Sequence, residues 1–116
     1  MSTETSSGRD MIVVLDLGSK DNPRLMRELR ELGVACELRP HTITLDELNA
    51  LPNVKGVILN GGPDGAQRSV APEICNAPLP VLMVDYQGDA PWPEDEQLRR
   101  ETLFNFVMLL CGANAD

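Results

Sequence analysis

Four apolar runs punctuate the chain, and each empties into polar or glycine-containing residues: Met11 to Leu15, Val34 to Leu38, Val54 to Leu59, and Pro80 to Tyr86. The first, third and fourth are nearly continuous, the pattern of strands covered on both faces, whereas the second alternates apolar with polar residues as an edge strand does. Cys36 then points inward. Between the strands the apolar period changes to that of helices. Leu25, Leu29 and Leu32 recur at i, i+4 and i+7 behind Asn22, which can cap, and Pro23, which suits the first helical position; Gly33 closes the segment. Thr44 and Glu47 form a capping box flanked by the apolar pair Ile43 and Leu48, predicting a short helix to about Ala50. Ala71 to Cys75 fits a single helical turn, limited by Pro78 and Pro80. The last helix is announced by Glu94, Asp95 and Glu96 and ends at Gly112. Its inner stripe is Leu103, Phe106, Val107 and Leu110, and a second stripe of Phe104, Met108 and Cys111 makes the apolar face wider than one sheet contact requires.

Strands alternating with helices define an α/β fold: a three-layer, flavodoxin- or Rossmann-like open parallel sheet of about four strands, with right-handed crossovers and strand order 2-1-3-4. Residues 1–10 are small, polar and aperiodic, and are expected to be a disordered leader to a single domain over 11–116.

Charge narrows the function classes. A net charge of -8 disfavours nucleic acid and anionic membrane surfaces as partners. No apolar stretch approaches the ~20 residues of a membrane span, and a cytoplasmic location is expected. Cys36, Cys75 and Cys111 lie in apolar surroundings without metal-ligand spacing, and His41 is the one histidine, so neither a metal nor another cofactor is expected. Arg24, Arg27 and Arg30 alternate with Glu28 and Glu31, which reads as a solvated helix face.

The segments "VVLDLGS", "RELRELGVACELRP", "TLDELNAL", "KGVILNGGP", "LPVLMVDY" and "ETLFNFVMLLCG" occur in an order that resembles class I glutamine amidotransferase domains, most closely those of GMP synthetases. The resemblance covers nearly all of the chain after residue 10. It implies chemistry in which a cysteine thiolate after strand four attacks the glutamine side-chain amide, activated by a His and a Glu and assisted by backbone N–H groups around the oxyanion. On this pattern Gly61 and Gly62 fall at the oxyanion strand, Tyr86 follows the nucleophile, and the nucleophile position itself holds Asp85. The glycines expected beside the nucleophile are Met83 and Gln87, so the tight elbow is not encoded. A proline-rich link also replaces the region that would carry the His and Glu. The resemblance therefore implies a truncated domain without the catalytic Cys, His and Glu, with no catalytic residue to name and a ligand-binding loop of Gly61, Gly62 and Tyr86.

Several readings stay open. Asp85 is a strand-terminal cap, a ligand or interface group, or a residual catalytic carboxylate. Asp16, Asn60 and Asp85 all end neighbouring strands, the geometry by which receiver-like domains hold magnesium, although the lysine and hydroxyl of such a site are lacking. The Asn60-Gly61-Gly62-Pro63 loop is a plain turn or a small-anion cradle. His41, beside Pro40, is placed in an exposed loop. The expected activity is that of an inactive amidotransferase-like module acting by binding or assembly, in the context of purine metabolism. Its partners are a second copy of the chain or a synthetase-type protein, covering strand four or the last helix, with a small-molecule ligand near Gly61 and Asp85. The alternatives are a glutamine-hydrolysing subunit or small hydrolase, completed by another protein or by Asp85, and a stand-alone regulatory ligand binder.

Overall fold

The computed structural model describes residues 10–61, 70–76, 79–84, 91–110 and 112. Residues 1–9 of the leader, Gly62, Asp85, Tyr86 and Cys111 lie outside the described residues.

Strand β1 (Met11–Asp16) has five buried residues in succession because it lies inside the sheet with helices on both faces. It pairs in parallel with β2 (Ala35–Pro40) and with β3 (Val54–Asn60), and β3 pairs in parallel with β4 (Val81–Val84). The order is β2-β1-β3-β4, as the alternation of elements predicts. The pleat divides the core in two. Val13, Leu15, Val57 and Leu59 face Ile43, Leu48 and Ile74, which come from α2 (Leu45–Asn49), its entry turn and α3 (Pro72–Cys75). Ile12, Val14 and Ile58 face the opposite way, onto Leu25 and Leu29 of α1 (Asn22–Glu31) and onto Leu103, Phe106 and Val107 of the last helix.

The capping box forms as expected: the Thr44 hydroxyl accepts from the Glu47 N–H at 3.1 Å, and the Glu47 carboxylate accepts from the Thr44 N–H at 2.9 Å. Gly33, at φ 87°, supplies the left-handed residue that ends α1.

Four expectations need correction. Asn22 does not cap α1: Asp21 holds the cap position without a side-chain cap bond, and Asn22 is the first helical residue, its amide drawn into a buried polar cluster. Strand two continues past Leu38 to Pro40, because its backbone stays in register with β1 as far as Asp16. Strand four is covered less than its sequence predicts; Val81, Leu82 and Met83 are half-buried, as befits the outer position in the sheet, and only Val84 is buried. The final helix is two segments rather than one. An α-helix, α4 (Glu96–Phe104), runs into a π-helical stretch at Asn105–Leu110, whose wider turns break the 3.6-residue stripe. Phe104, the last residue of α4, lies 47% exposed, while Leu103, Phe106 and Val107 are buried.

Candidate functional site

In open parallel sheets, ligands bind outside the carboxyl ends of the strands where the strand order reverses. Here that point lies between β1 and β3, whose last residues, Asp16 and Asn60, are direct register partners. The sequence brings both polar groups to the same mouth, and the structure shows what they do there.

The Asp16 carboxylate turns back on its own loop. Its Oδ1 accepts from the Gly18 N–H at 2.8 Å and from Asn22 Nδ2 at 3.1 Å. Gly18, at φ 91°, permits the turn that brings its N–H within reach. Asn60 is only 1% exposed. Its Nδ2 donates to Asn22 Oδ1 at 3.1 Å and to Asp21 Oδ2 at 3.2 Å, and its Oδ1 accepts from Trp92 Nε1 at 3.1 Å. The Gly61 N–H, next along the chain, donates to the Val84 carbonyl at 2.8 Å and so extends the β3–β4 ladder by one bond.

A second set of charges closes around this cluster. Arg99 on α4 sends Nη1 and Nη2 to the two oxygens of Asp21, at 3.0 and 2.8 Å, and Nε to Glu28 on α1 at 2.8 Å. Its guanidinium also lies 4.5 Å from the centre of the Trp92 ring. Burial by itself works against the Arg99 cation, but the hydrogen bonds and charges of Asp21 and Glu28 outweigh it and push its pKa above the ordinary arginine value.

The mouth of the sheet is thus a closed polar network. Asp16 and Asn60 meet as their strand positions require, but Asp16 is engaged by its own turn and Asn60 by three side chains, which leaves neither posed as an open metal ligand. Among the described residues, no group of three or more His, Cys, Asp or Glu side chains stands together as a metal site. Because the Gly61 N–H is committed to Val84, an oxyanion cradle in this loop would have to draw on Gly62, outside the described residues. His41 is partly buried and makes an interaction of its own. Cys36 lies beside Met26, whose carbonyl accepts from its thiol at 3.6 Å, and Cys75 lies on the other face of the sheet.

Sequence reasoning missed Asp21, Trp92 and Arg99, and its placement of Glu28 on a solvated helix face needs correction: Glu28 is 7% exposed and turns inward to meet Arg99. A signal was present. Glu28 falls between Leu25 and Leu32 in the spacing of α1, and Arg99 stands at i−4 and i−7 to Leu103 and Phe106. Opposite charges on the inward stripes of two helices point to a buried pair across their interface.

Fold and site define an open parallel α/β domain whose strand-order reversal is filled by its own polar side chains. Comparison with known sequences places the chain among relatives. It is 40% identical, over 93% of its own length, to a Bacteroides thetaiotaomicron protein assigned as a second glutamine-hydrolyzing GMP synthase, of which it covers 27%. It is 45% identical over 67% of its length to the glutamine-hydrolyzing GMP synthase of Geobacillus kaustophilus, covering 16% of that protein. With the Staphylococcus carnosus enzyme of the same name it shares 40% identity over 72% of its length and 17% of the enzyme's. No family model matches the chain. By sequence the chain is similar to a glutaminase-like domain of the GMP synthases, and it spans about a quarter or less of the length of these relatives. No helix among the described residues is long and apolar enough to cross a membrane.

Proposed function

We propose that residues 11–116 act as one catalytically inactive, amidotransferase-like module that works by binding or assembly in the cytoplasm, in a role related to GMP synthesis. The observation that carries this reading is the commitment of the sheet mouth. Asp16, Asn60 and the Gly61 N–H, which stand where an α/β enzyme presents its chemistry, are each hydrogen-bonded within the protein. The nucleophile position of the resemblance holds Asp85, a carboxylate that cannot form a thioester with the glutamine amide. Gly61, Gly62 and Tyr86 would then serve as a loop for a small ligand rather than as catalytic apparatus.

The partner in this reading is a second copy of the chain or a synthetase-type protein. The half-buried Val81 to Met83 of β4 and the exposed Phe104 and Leu109 of the last helix favour such cover. The competing reading is a glutamine-hydrolysing subunit completed by a partner or by Asp85, and it is favoured by the identity to glutamine-hydrolyzing relatives. Ammonia release from glutamine separates the two. The module reading expects no turnover alone or with a synthetase partner, and turnover abolished by Asp85→Ala would overturn it.

A further inference from the structure

Trp92 reaches the sheet mouth from an irregular segment between Pro91 and Pro93, rather than from a helix or strand. It is the chain's one tryptophan and is half-buried. Its indole makes two directional contacts: Nε1 donates to Asn60 Oδ1, and the ring lies under the Arg99 guanidinium.

Each group that receives the indole is fixed by other bonds. Asn60 is held by Asn22 and Asp21 through its Nδ2, leaving Oδ1 aimed at Trp92. Arg99 is held by Asp21 and Glu28 through its nitrogens, leaving the face of its guanidinium for the ring. If the indole swung out, a buried acceptor and a flat cation would remain in place, at the reversal point where this fold class binds ligands. A receptor already organised in this way binds without the cost of ordering its own side chains.

We infer that Trp92 is the built-in occupant of a subsite, formed by Asn60 Oδ1 and the Arg99 guanidinium, for a flat nitrogen heterocycle bearing a ring N–H. That chemical class includes the nucleobases. The acceptor selects the N–H, because any occupant without one strands the Asn60 carbonyl oxygen away from water. The guanidinium selects a planar aromatic face. The tethered indole competes with any free ligand, so binding swings the 91–95 segment outward and couples occupancy to the entry of α4. The inference does not depend on the amidotransferase-like reading, since none of its groups is the nucleophile or the oxyanion loop.

The test uses the full chain, with benzimidazole as the probe and indene, a ring of the same shape without an N–H, as the control. In the wild type, benzimidazole is expected to shift Trp92 emission to the red in a saturable way, and indene to leave it unchanged. No saturable shift up to the solubility limit, or the same shift with both compounds, overturns the inference. In Trp92→Ala, with the competitor gone, benzimidazole is expected to raise the Tm and to bind at least tenfold tighter than in the wild type, and at least tenfold tighter than indene. Equal binding of the two compounds would reveal a mere apolar cavity and overturn it, as would a folded variant that binds neither. Should Trp92→Ala not fold, the wild-type emission titration decides alone.

Discussion

Arg99 and Glu28, 71 residues apart in sequence, meet in the interface between α4 and α1 with Nη2 to Oε1 at 2.7 Å, and both side chains are less than a tenth exposed. Each makes the other admissible. A guanidinium or carboxylate buried alone costs several kcal/mol, whereas the pair, extended by Asp21, satisfies its hydrogen-bonding groups. The pair is weak evidence for net stability and strong evidence for register: it fixes which turn of α4 faces which turn of α1.

Arg99→Met is therefore expected to destabilise the fold by about 3–5 kcal/mol, because it leaves Glu28 buried with only the part-exposed Arg24, 3.7 Å away, to balance its charge. The double variant Arg99→Met/Glu28→Leu should recover much of that loss, since two well-packed apolar side chains replace the pair. Urea denaturation of the wild type, both single variants and the double variant gives the coupling directly. A double variant no more stable than Arg99→Met would show that Asp21, not Glu28, carries the interaction.

A smaller effect is expected at Thr44. Its side chain and that of Glu47 are exposed and satisfy each other's backbone N–H groups at the start of α2, which has only five residues. Thr44→Ala should cost about 1 kcal/mol, read as a fall in the urea midpoint with unchanged slope. Thr44→Ser should cost much less, because the capping oxygen is kept.

Why the capping box was legible in sequence and the charge network was not has a physical explanation. Thr44 and Glu47 act on backbone three residues away, so the whole interaction lies within one window of sequence. The apolar runs likewise specify the strand order, because continuous Val, Leu and Ile stretches such as Met11 to Leu15 are stable only under cover on both faces. Arg99, by contrast, finds Asp21 across 78 positions, and nothing local marks the pair apart from its place on an apolar stripe. The same holds for Asn22. Local preference favoured a cap there, but tertiary partners in Asp16 and Asn60 took the side chain instead. The π-helical turns at Asn105–Leu110 have no local signal either, since "NFVMLL" continues an ordinary helical spacing.

Cys36 provides a pH-dependent test. Burial pushes its thiol pKa above the ordinary 9.0, and Glu37 adds to the rise, while the charge and hydrogen bonding of Arg30 oppose it. In the unfolded chain the thiol ionises near its ordinary value, and in the folded protein it ionises only at higher pH. The folded state thus holds the proton longer, so this contribution is fully present below pH 9.0 and is lost as pH rises through the folded pKa. Wild type should lose stability relative to Cys36→Ala as the pH rises above 9.0, with no such divergence at neutral pH. Parallel urea midpoints for the two proteins across the whole range would refute this. The Cys36 thiol, held protonated, should also be slow to react with a disulfide reagent at pH 8 until the protein is unfolded.

The last helical stretch leaves Leu98 at 52%, Phe104 at 47% and Leu109 at 73% exposed, while a shallow depression of about 290 Å³ opens beside Phe104, lined by Gln97, Arg100, Glu101 and Asn105. These side chains lie outside the core formed by Leu103, Phe106 and Val107. Replacing one of them with a charge removes an apolar contact surface without opening a cavity. Phe104→Glu is expected to keep the wild-type Tm within about 2 °C, since a surface change of this kind shifts stability by only about 0.5 kcal/mol. If a second copy covers this face, light scattering behind size-exclusion chromatography should show a wild-type dimer and a Phe104→Glu monomer at the same concentration. A dimer that survives the substitution would move the contact to the β4 edge, where Leu82→Lys is the corresponding disruption. A wild type that runs as a monomer at tens of micromolar would exclude self-association on either surface at that concentration and leave a different protein as the partner to be sought.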